Sequence, residues 1–375
     1  MLDTPKCAAI AIKTRLGLQN KACLRFKVSF KVGVRVSARA VWFFNQKRSG
    51  KPWGLALSWL SKIVCINRST FLTGILMKLK LAALSLALLS TGGVFAQATD
   101  TIAKVKASGV VTMGVREASG ALSFTPGDSK YVGYHVEICN KVIANLEKAV
   151  GRKLEVKYQP VTSQNRIPLV QNGTVDIECG STTNNATRQK DVAFLPTTFV
   201  EEVRIAVKAN SGITSIAQLN AKTVATTTGT TSVQTLRKNE RATGVDFKEV
   251  FGKDHSDSFL LLESGRAEAF VMDGQILAGA IATSKTPADF KIVGEVLSVE
   301  PIAIMIRKDD AAFKKLGDDT IKEMMKSGEI AKLWDKWFMQ PIPPKNTRVG
   351  YAVSENTKAA WANPNDKPME DYAKK

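Results

Sequence analysis

Short apolar runs alternate with longer segments of helical spacing along the chain from residue 109 onward. Residues 110–115 form a continuous apolar run typical of a buried strand, and apolar residues at 136–150 recur every three or four positions, as in a helix. Alternating patterns at 154–158 and 175–179 indicate two further strands. Strands interleaved with helices in this order predict parallel sheet and an α/β architecture.

The same alternation begins again in the middle of the chain. A short helix near Ile216 precedes a predicted strand at 223–226, and a polar turn at 227–232 that contains a glycine follows it. Such a turn can offer free backbone N–H groups and hydroxyls to an anion. Residues 267–272 predict another strand, and 321–337 have the amphipathic spacing of a closing helix.

The chain passes between these two units at two places, near 200–205 and near 296–302. Two crossings make the first unit discontinuous, because the second is inserted into it. We therefore predict one lobe at 99–202 plus 301–375 and a second lobe at 203–300.

The positive charge of the chain is concentrated in its first 98 residues. The whole chain has 53 Lys and Arg against 34 Asp and Glu, a formal net charge of +19. Residues 1–98 contain 16 of these basic residues and a single acid, Asp3, which leaves 37 basic against 33 acidic residues after them. A nucleic-acid partner is therefore not expected, because no basic stripe with interleaved aromatic residues remains.

Residues 77–98 show the three parts of a secretory signal peptide. A short basic region at 77–80 precedes an apolar run at 81–89, and AQA at 96–98 is a small-x-small cleavage site. The alternative is a membrane-spanning helix, but the apolar run of about ten residues falls short of the roughly 20 needed to span a bilayer. We predict cleavage after Ala98 and a periplasmic location.

Residues 1–76 have almost no acids, no repeat and little periodicity, and they precede a complete signal that normally starts a chain. Our hypothesis is that Met77 is the true initiator and that 1–76 is a disordered, non-native extension. The alternative is a basic targeting arm.

Two of the five cysteines, Cys139 and Cys179, lie after the leader. An even number in an oxidising compartment permits a disulfide, and two separately buried thiols are the alternative. These cysteines and the two histidines, His135 and His255, lack the spacing of metal ligands, so we expect no metal.

Familiar catalytic motifs are missing from the sequence: there is no Gly-x-Ser-x-Gly, no phosphate-binding loop and no histidine pair on one helix face. Cationic and hydroxyl residues instead follow the predicted strand ends, where α/β proteins place ligand contacts. Three arginines with hydroxyls suit a ligand with two carboxylates, and one acid suits its ammonium group. The candidates are Arg116, Ser163, Arg166, Ser181, Thr182, Thr183, Arg188, Thr230, Thr231, His255 and Asp273.

Five segments carry a resemblance to a known family. They are TSQNRIP (162–168), QNGT (171–174), ECGSTTN (178–184), KDH (253–255) and LESGR (262–266). Together with IPPKN at 342–346, they closely resemble the periplasmic glutamate/aspartate-binding proteins of ABC importers, and the likeness covers nearly all of 99–366.

This resemblance implies the type II periplasmic binding protein fold, with two α/β lobes joined by a two-strand hinge. It also implies that the chain binds L-glutamate or L-aspartate between the lobes, uses no cofactor, catalyses no reaction and delivers its ligand to membrane permease subunits.

The resemblance also implies roles for nine of these candidates. Arg188 would bind the ligand's α-carboxylate, with help from Ser181, Thr183 and Thr231. The side-chain carboxylate would meet Arg116, Ser163, Arg166 and His255, and Asp273 would hold the ammonium group. Around the first arginine (115–118) and in the turn at 228–230, this sequence departs mildly from the family pattern.

Each of these residues also has an ordinary structural interpretation. A single arginine is usually a solvated surface charge. His255 could be held at the surface between Asp254 and Asp257, and Asp273 could be a turn residue before Gly274.

Two other functions fit the same fold. An enzyme like the periplasmic cyclohexadienyl dehydratases would need a general acid in the cleft, and Asp273 is the one acid among the candidates. A sensory module could present the same ligand-bound cleft to a receptor.

Overall fold

The structure, a computed structural model of the chain, describes residues 100–372. The predicted signal peptide at 77–98, its cleavage site and the segment 1–76 lie outside the described residues. The described residues belong to one unit, Gly93–Lys375.

Strands and helices alternate through most of the described chain, as the apolar pattern predicts. The strands are β1 Val110–Val115, β2 Phe124–Gly127, β3 Lys130–Val132, β4 Glu155–Pro160, β5 Ile177–Glu178, β6 Val192–Phe194, β7 Phe199–Lys208, β8 Thr223–Thr227, β9 Lys248–Gly252, β10 Ala269–Asp273, β11 Phe290–Ile302, β12 Met305–Arg307, β13 Pro341–Ile342 and β14 Thr347–Arg348. The helices are α1 Thr101–Ser108, α2 Tyr134–Val150, α3 Arg166–Gln171, α4 Thr231–Thr243, α5 His255–Glu263, α6 Gly274–Thr283, α7 Ala311–Lys326, α8 Glu329–Trp334, α9 Glu355–Ala362 and α10 Met369–Tyr372.

The first five-stranded sheet has the order β4-β1-β5-β12-β6. β1 is parallel to β4 and β5, as predicted, whereas β12 is antiparallel to β5 and β6. This sheet is therefore mixed. The reason is that β12 comes from the second sheet through β11 and enters from the opposite end, without a crossover helix.

The apolar face of α2 covers this first sheet. Ile138 and Val142, which are one turn apart, belong to the same core cluster as Met113 of β1. α2 ends at Gly151, whose positive φ of 73° is favoured by glycine.

The second sheet has the order β11-β7-β10-β8-β9. β8 is parallel to β9 and β10, and β7 is antiparallel to β10 and β11. Alternate residues of β10 enter different core clusters: Val271 belongs to one and Phe270 to the other. Both faces of this sheet are therefore covered.

The two crossings predicted from the sequence lie on neighbouring antiparallel strands, β7 and β11. Val200 pairs with Pro301 and Ile205 with Val293, with an irregular stretch between Val293 and Ser298. These two strands form the hinge between the lobes. The lobe limits at 99–202 plus 301–375 and at 203–300 stay predictions.

The closing helix predicted at 321–337 is broken. α7 begins earlier, at Ala311, and stops at Lys326. Gly328 has a φ of +74°, a left-handed conformation that interrupts the helical hydrogen bonds before α8 begins. The apolar spacing continues across the break because α8 and the π-helical turn Asp335–Met339 add their buried residues to the same core.

Cys139 of α2 and Cys179, which follows β5, form a disulfide across 40 residues of chain, with Cα atoms 6.3 Å apart. Within residues 100–372, none of the helices is both long enough and apolar enough to cross a bilayer.

Candidate functional site

All eleven candidate residues are buried, with at most 8% of any residue exposed. They lie at or near strand ends and helix starts. They are Arg116, Ser163, Arg166, Ser181, Thr182, Thr183, Arg188, Thr230, Thr231, His255 and Asp273. The alternative of solvated surface charges is therefore wrong for the arginines.

The first lobe supplies three guanidinium groups. Arg166 begins α3 and its Nη1 donates to the carbonyl of Ser181 at 3.1 Å, and Nη1 of Arg188 donates to the carbonyl of Thr183 at 2.8 Å. Arg116 follows β1, and its backbone N–H donates to Oγ of Ser123 at 2.9 Å.

Burial, together with the charges of Arg188 and Arg116, lowers the pKa of Arg166 to about 9, although Glu178 and Asp273 oppose the fall. Burial also lowers the pKa of Arg188. Both pKa shifts show that these guanidinium groups have lost much of their hydration. An anion bound beside them would therefore be strongly favoured.

The second lobe supplies a histidine and a carboxylate. His255 begins α5 and its Nδ1 lies 3.0 Å from Oγ1 of Thr227. Burial, followed by the charges of Arg116 and Arg166, holds the pKa of His255 well below its ordinary value. The imidazole is therefore neutral at pH 7, and it is not a surface residue paired with its neighbouring acids.

Asp273 ends β10 and is 2% exposed. Burial, together with the negative charges of Glu300 and Glu201, raises its pKa well above the ordinary value, whereas Arg166 and Arg188 oppose the rise. A cationic group placed beside Asp273 would reverse this effect, because an opposite charge favours the ionised carboxylate.

The two lobes contact each other at the site. Nη2 of Arg116 lies 2.5 Å from Oδ1 of Asp254, which also caps α5. The hydroxyls of Thr183 and Thr231 lie 3.2 Å apart. The structure therefore has the lobes closed on each other.

Several polar atoms of the predicted site are buried and have no hydrogen-bond partner among residues 100–372. They are Nε and Nη1 of Arg116, Oγ of Ser163, Nε of Arg166, Nε2 of His255 and Oδ1 of Asp273. Buried polar groups are nearly always paired, since an unpaired one costs about 1–3 kcal/mol. Guanidinium and hydroxyl donors with one carboxylate acceptor match a ligand that carries carboxylates and an ammonium group.

Two predicted site residues have hydroxyl groups that already contact a partner within the protein. Thr230 donates its hydroxyl to the carbonyl of Thr227 within its own turn, at 2.8 Å. The hydroxyl of Ser181 lies 3.1 Å from that of Ser119, in the loop after β1.

Two acids at the site, Glu300 and Glu178, were not predicted from the sequence. Glu300 accepts hydrogen bonds from the hydroxyls of Thr183 and Thr231, each at 2.6 Å. Glu178, the last residue of β5, is fully buried. A signal for Glu300 was present, because it is a lone acid in the apolar segment 296–306.

Among residues 100–372, no group of three or more His, Cys, Asp and Glu side chains could hold a metal ion.

Two sheets joined by a pair of hinge strands, with a buried charged cleft between them, define a two-lobed periplasmic binding protein fold of type II. The chain belongs to the bacterial extracellular solute-binding proteins, family 3, whose family model matches residues 111–340.

Relatives with assigned functions extend this comparison. The chain is 44% identical to the glutamate/aspartate import solute-binding protein of Escherichia coli K12 over 301 residues, which is 78% of this chain and 100% of the relative. It is 44% identical to the L-glutamate/L-aspartate-binding protein of Pseudomonas aeruginosa over 292 residues, 77% of this chain and 96% of the relative. Both are named as binding proteins and not as enzymes, which favours binding without chemistry over the dehydratase alternative.

Solved structures agree on the fold. A mutant of ArgBP from T. maritima is 27% identical, with a TM-score of 0.57, and the match covers 64% of this chain and 99% of that one. An ancestral arginine-binding protein bound to arginine is 30% identical, with a TM-score of 0.54, and the match covers 61% and 98%.

Proposed function

We propose that this chain captures L-glutamate or L-aspartate between its two lobes and delivers it to the permease subunits of an ABC importer. The protein performs no chemistry on the ligand and needs no cofactor. It acts outside the cytoplasm after its signal peptide is removed behind Ala98. The ligand lies between a lobe formed by 99–202 plus 301–375 and a lobe formed by 203–300.

The observation that carries this proposal is the meeting of three buried guanidinium groups and one buried carboxylate. Arg116, Arg166 and Arg188 come from one lobe and Asp273 from the other. An acidic amino acid has two carboxylates and one ammonium group, so its charges complement this arrangement. Enclosing a carboxylate costs several kcal/mol unless it is paired and hydrogen-bonded, and the arginines supply those partners.

Within this proposal, the α-carboxylate binds Arg188 and the side-chain carboxylate binds Arg166 and Arg116, with Ser163 and His255 beside it. The ammonium group binds Asp273. The family and the acidic ligands named for the two relatives support this assignment.

Delivery follows from closure. Since the contacts come from both lobes, a ligand binds the closed form more tightly than the open form and shifts the population toward it. The closed lobes then present a surface that differs from that of the open protein, which a permease can distinguish.

Isothermal titration tests the proposal directly. The purified protein is stripped of co-purified ligand by unfolding, dialysis and refolding, and is then titrated with L-glutamate, L-aspartate, L-glutamine and L-arginine. We expect both acids to bind in the micromolar range or tighter, at about −8 kcal/mol or better, and L-arginine to give no heat. Binding of L-arginine, or of none of the four, would refute the proposal.

A further inference from the structure

Glu300 is a fully buried acid at the centre of the contact between the lobes. Its Oε2 accepts hydrogen bonds from Oγ1 of Thr183 and Oγ1 of Thr231, each at 2.6 Å. Its Oε1 accepts from Oγ of Ser298 at 2.8 Å. The carboxylate therefore accepts hydrogen bonds from three hydroxyl groups.

The two threonines come from different lobes. Thr183 follows β5 of the first sheet, whereas Thr231 begins α4 beside the second sheet. Glu300 itself lies on hinge strand β11, opposite Glu201 of β7. One carboxylate on the hinge thus joins a residue of each lobe, and we call this set, Thr183, Glu300 and Thr231, the Glu300 bridge.

The Glu300 bridge determines what the two hydroxyls can offer a ligand. A threonine hydroxyl has one proton and two lone pairs. When that proton is donated to Glu300, the oxygen can only accept a further hydrogen bond. Thr183 and Thr231 can then receive N–H groups, but they cannot donate their hydroxyl protons to the α-carboxylate, which is the role that the family resemblance implies.

We propose that Glu300 is a positioning residue that turns the hydroxyls of Thr183 and Thr231 into acceptors for the ligand's ammonium group and holds the two lobes together. This inference rests on the proposed function, because it assigns part of the same site. Glu300 does not touch the ligand in this scheme; it acts through the two threonines.

The surroundings of Glu300 support the assignment. Its charge reaches the site, because it adds to the rise in the pKa of Asp273 and opposes the fall in the pKa of Arg188. Asp273 is the carboxylate proposed to meet the same ammonium group. The carboxylate of Asp273 and the hydroxyl oxygens of Thr183 and Thr231 would therefore all accept hydrogen bonds from the same ammonium group.

A purely structural role is the competing explanation, since Glu300 could simply fill the hinge. The two roles differ in how they depend on the ligand. If Glu300 is only structural, replacing it should weaken the binding of all ligands alike. If it is a positioning residue, replacing it should weaken only the binding of ligands that carry an ammonium group.

The test compares Glu300→Gln with the wild type by titration with L-glutamate and with glutarate, the same dicarboxylate without the ammonium group. The amide of a glutamine at position 300 donates a hydrogen bond to one of the threonines. The hydroxyl of that threonine then no longer donates its hydrogen bond to residue 300. We expect Glu300→Gln to weaken L-glutamate by about 10- to 100-fold and glutarate by less than about threefold.

Glu202→Gln is the matched control. It removes the same charge from the neighbouring hinge strand, where Glu202 pairs with Arg204 at 3.4 Å and not with either threonine. We expect it to leave both affinities unchanged. Circular dichroism and thermal unfolding verify that each variant is folded.

Thr231→Val provides a second variant if Glu300→Gln does not fold or if glutarate binds too weakly to measure. It removes the second-lobe end of the Glu300 bridge and leaves Glu300 in place. We expect weaker L-glutamate binding and, in solution X-ray scattering, a larger radius of gyration of the ligand-free protein than for the wild type.

Three outcomes overturn the inference: L-glutamate affinity within about twofold of the wild type in the variants, equal losses for both ligands, or no change in ligand-free dimensions for Thr231→Val. A wild type that binds no acidic amino acid at all refutes the proposed function itself. That failure is seen before any variant is made.

Discussion

The guanidinium group of Arg116 and the carboxylate of Asp254 join the two sides of the cleft, with Nη2 2.5 Å from Oδ1. Arg116 follows β1 of the first sheet and is fully buried, whereas Asp254 precedes α5 beside the second sheet and has 16% of its side chain exposed. Since the partners belong to different lobes, this ion pair forms only when the lobes are together. It favours closure before any ligand binds.

We expect Asp254→Asn to open the ligand-free protein. Asparagine still caps α5 and still accepts a hydrogen bond from Arg116, but the charge of the pair is lost. The partly exposed pair is worth about 1 kcal/mol, which changes the ratio of closed to open protein about fivefold. The measurement is the radius of gyration of the ligand-free protein in solution X-ray scattering. Asp257→Asn, an exposed acid on the same helix, serves as the control and should change nothing.

Arg188→Ala should weaken the binding of L-glutamate by about two to four orders of magnitude, because a buried carboxylate would lose its cation at a cost of roughly 3–5 kcal/mol. Titration calorimetry measures the change. The control is Arg237→Ala. Arg237 lies on α4 with half of its side chain exposed, and it pairs with Glu249 of β9. An Arg188→Ala protein that binds as tightly as the Arg237→Ala protein would remove Arg188 from the site.

Gly229 permits the close approach of the lobes. A Cβ at this position would lie 2.8 Å from Cα of Gln164 in the other lobe, and the φ of +81° is favoured by glycine. Gly229→Ala should therefore lower ligand affinity by about tenfold or more, because the closed form would meet a backbone clash.

The control for this clash is Gly212→Ala. Gly212 has a similar φ of +74°, but a Cβ there would have no atom within 4 Å. Both variants should lose about 1 kcal/mol of unfolding free energy from backbone strain. Equal ligand affinity of the two variants would show that the approach at Gly229 does not limit closure.

The order of elements and the strand-end residues could be predicted from the sequence. Arg116 directly follows a continuous apolar run, and Asp273 directly ends another, so periodicity alone placed both at strand ends. The helix α6, which begins at Gly274, was not predicted, because its apolar residues and glycines lack a distinct polar face.

Contacts between distant residues could not be predicted in this way. Glu300 meets Thr183 and Thr231 only because β11 lies in the hinge in a particular register. Local patterns carry no information on that register, and a lone acid in an apolar run does not reveal its partner. The same holds for Arg116 and Asp254, which are 138 positions apart.

Glu201 should make stability depend on pH. Burial raises its pKa from 4.5 to about 7, with Glu300 adding to the rise, although hydrogen bonds from Tyr351 and two backbone N–H groups oppose it. In this range the folded state binds more protons than the unfolded state. The free energy of unfolding therefore falls as pH rises from 4.5 to about 7, and the contribution of Glu201 is constant above that.

Comparison with Glu201→Gln isolates this effect. The stability of the variant relative to the wild type should rise by roughly 3 kcal/mol between pH 4.5 and 7.5, measured by urea unfolding at each pH. The comparison is needed because burial lowers the pKa of His135 to about 4. The unfolded state then binds a proton at this histidine before the folded state does, so its contribution makes the free energy of unfolding fall as pH falls below 6.5. That dependence on pH is opposite to the one from Glu201. A pH-independent difference between the two proteins would contradict the shift of Glu201.

The disulfide between Cys139 and Cys179 should stabilise the first lobe. It closes a loop of 40 residues, and a crosslink of this length contributes roughly 3–4 kcal/mol. The double variant Cys139→Ser/Cys179→Ser should lose about this much unfolding free energy. Urea unfolding with dithiothreitol present should show a less stable wild type and an unchanged variant. A wild type that is equally stable with and without the reductant would mean that the crosslink does not contribute.

The position of β12 affects how the protein can be made. β12 lies between β5 and β6 in the first sheet, but the whole second sheet separates β12 from them along the chain. During synthesis from the N-terminus, every strand of the inserted lobe is available before this central strand emerges. Until then, β5 and β6 have unpaired edges that can join with other chains. The lobe that begins first is therefore completed last, and a chain truncated before Met305 would keep a finished second lobe beside an aggregation-prone first one.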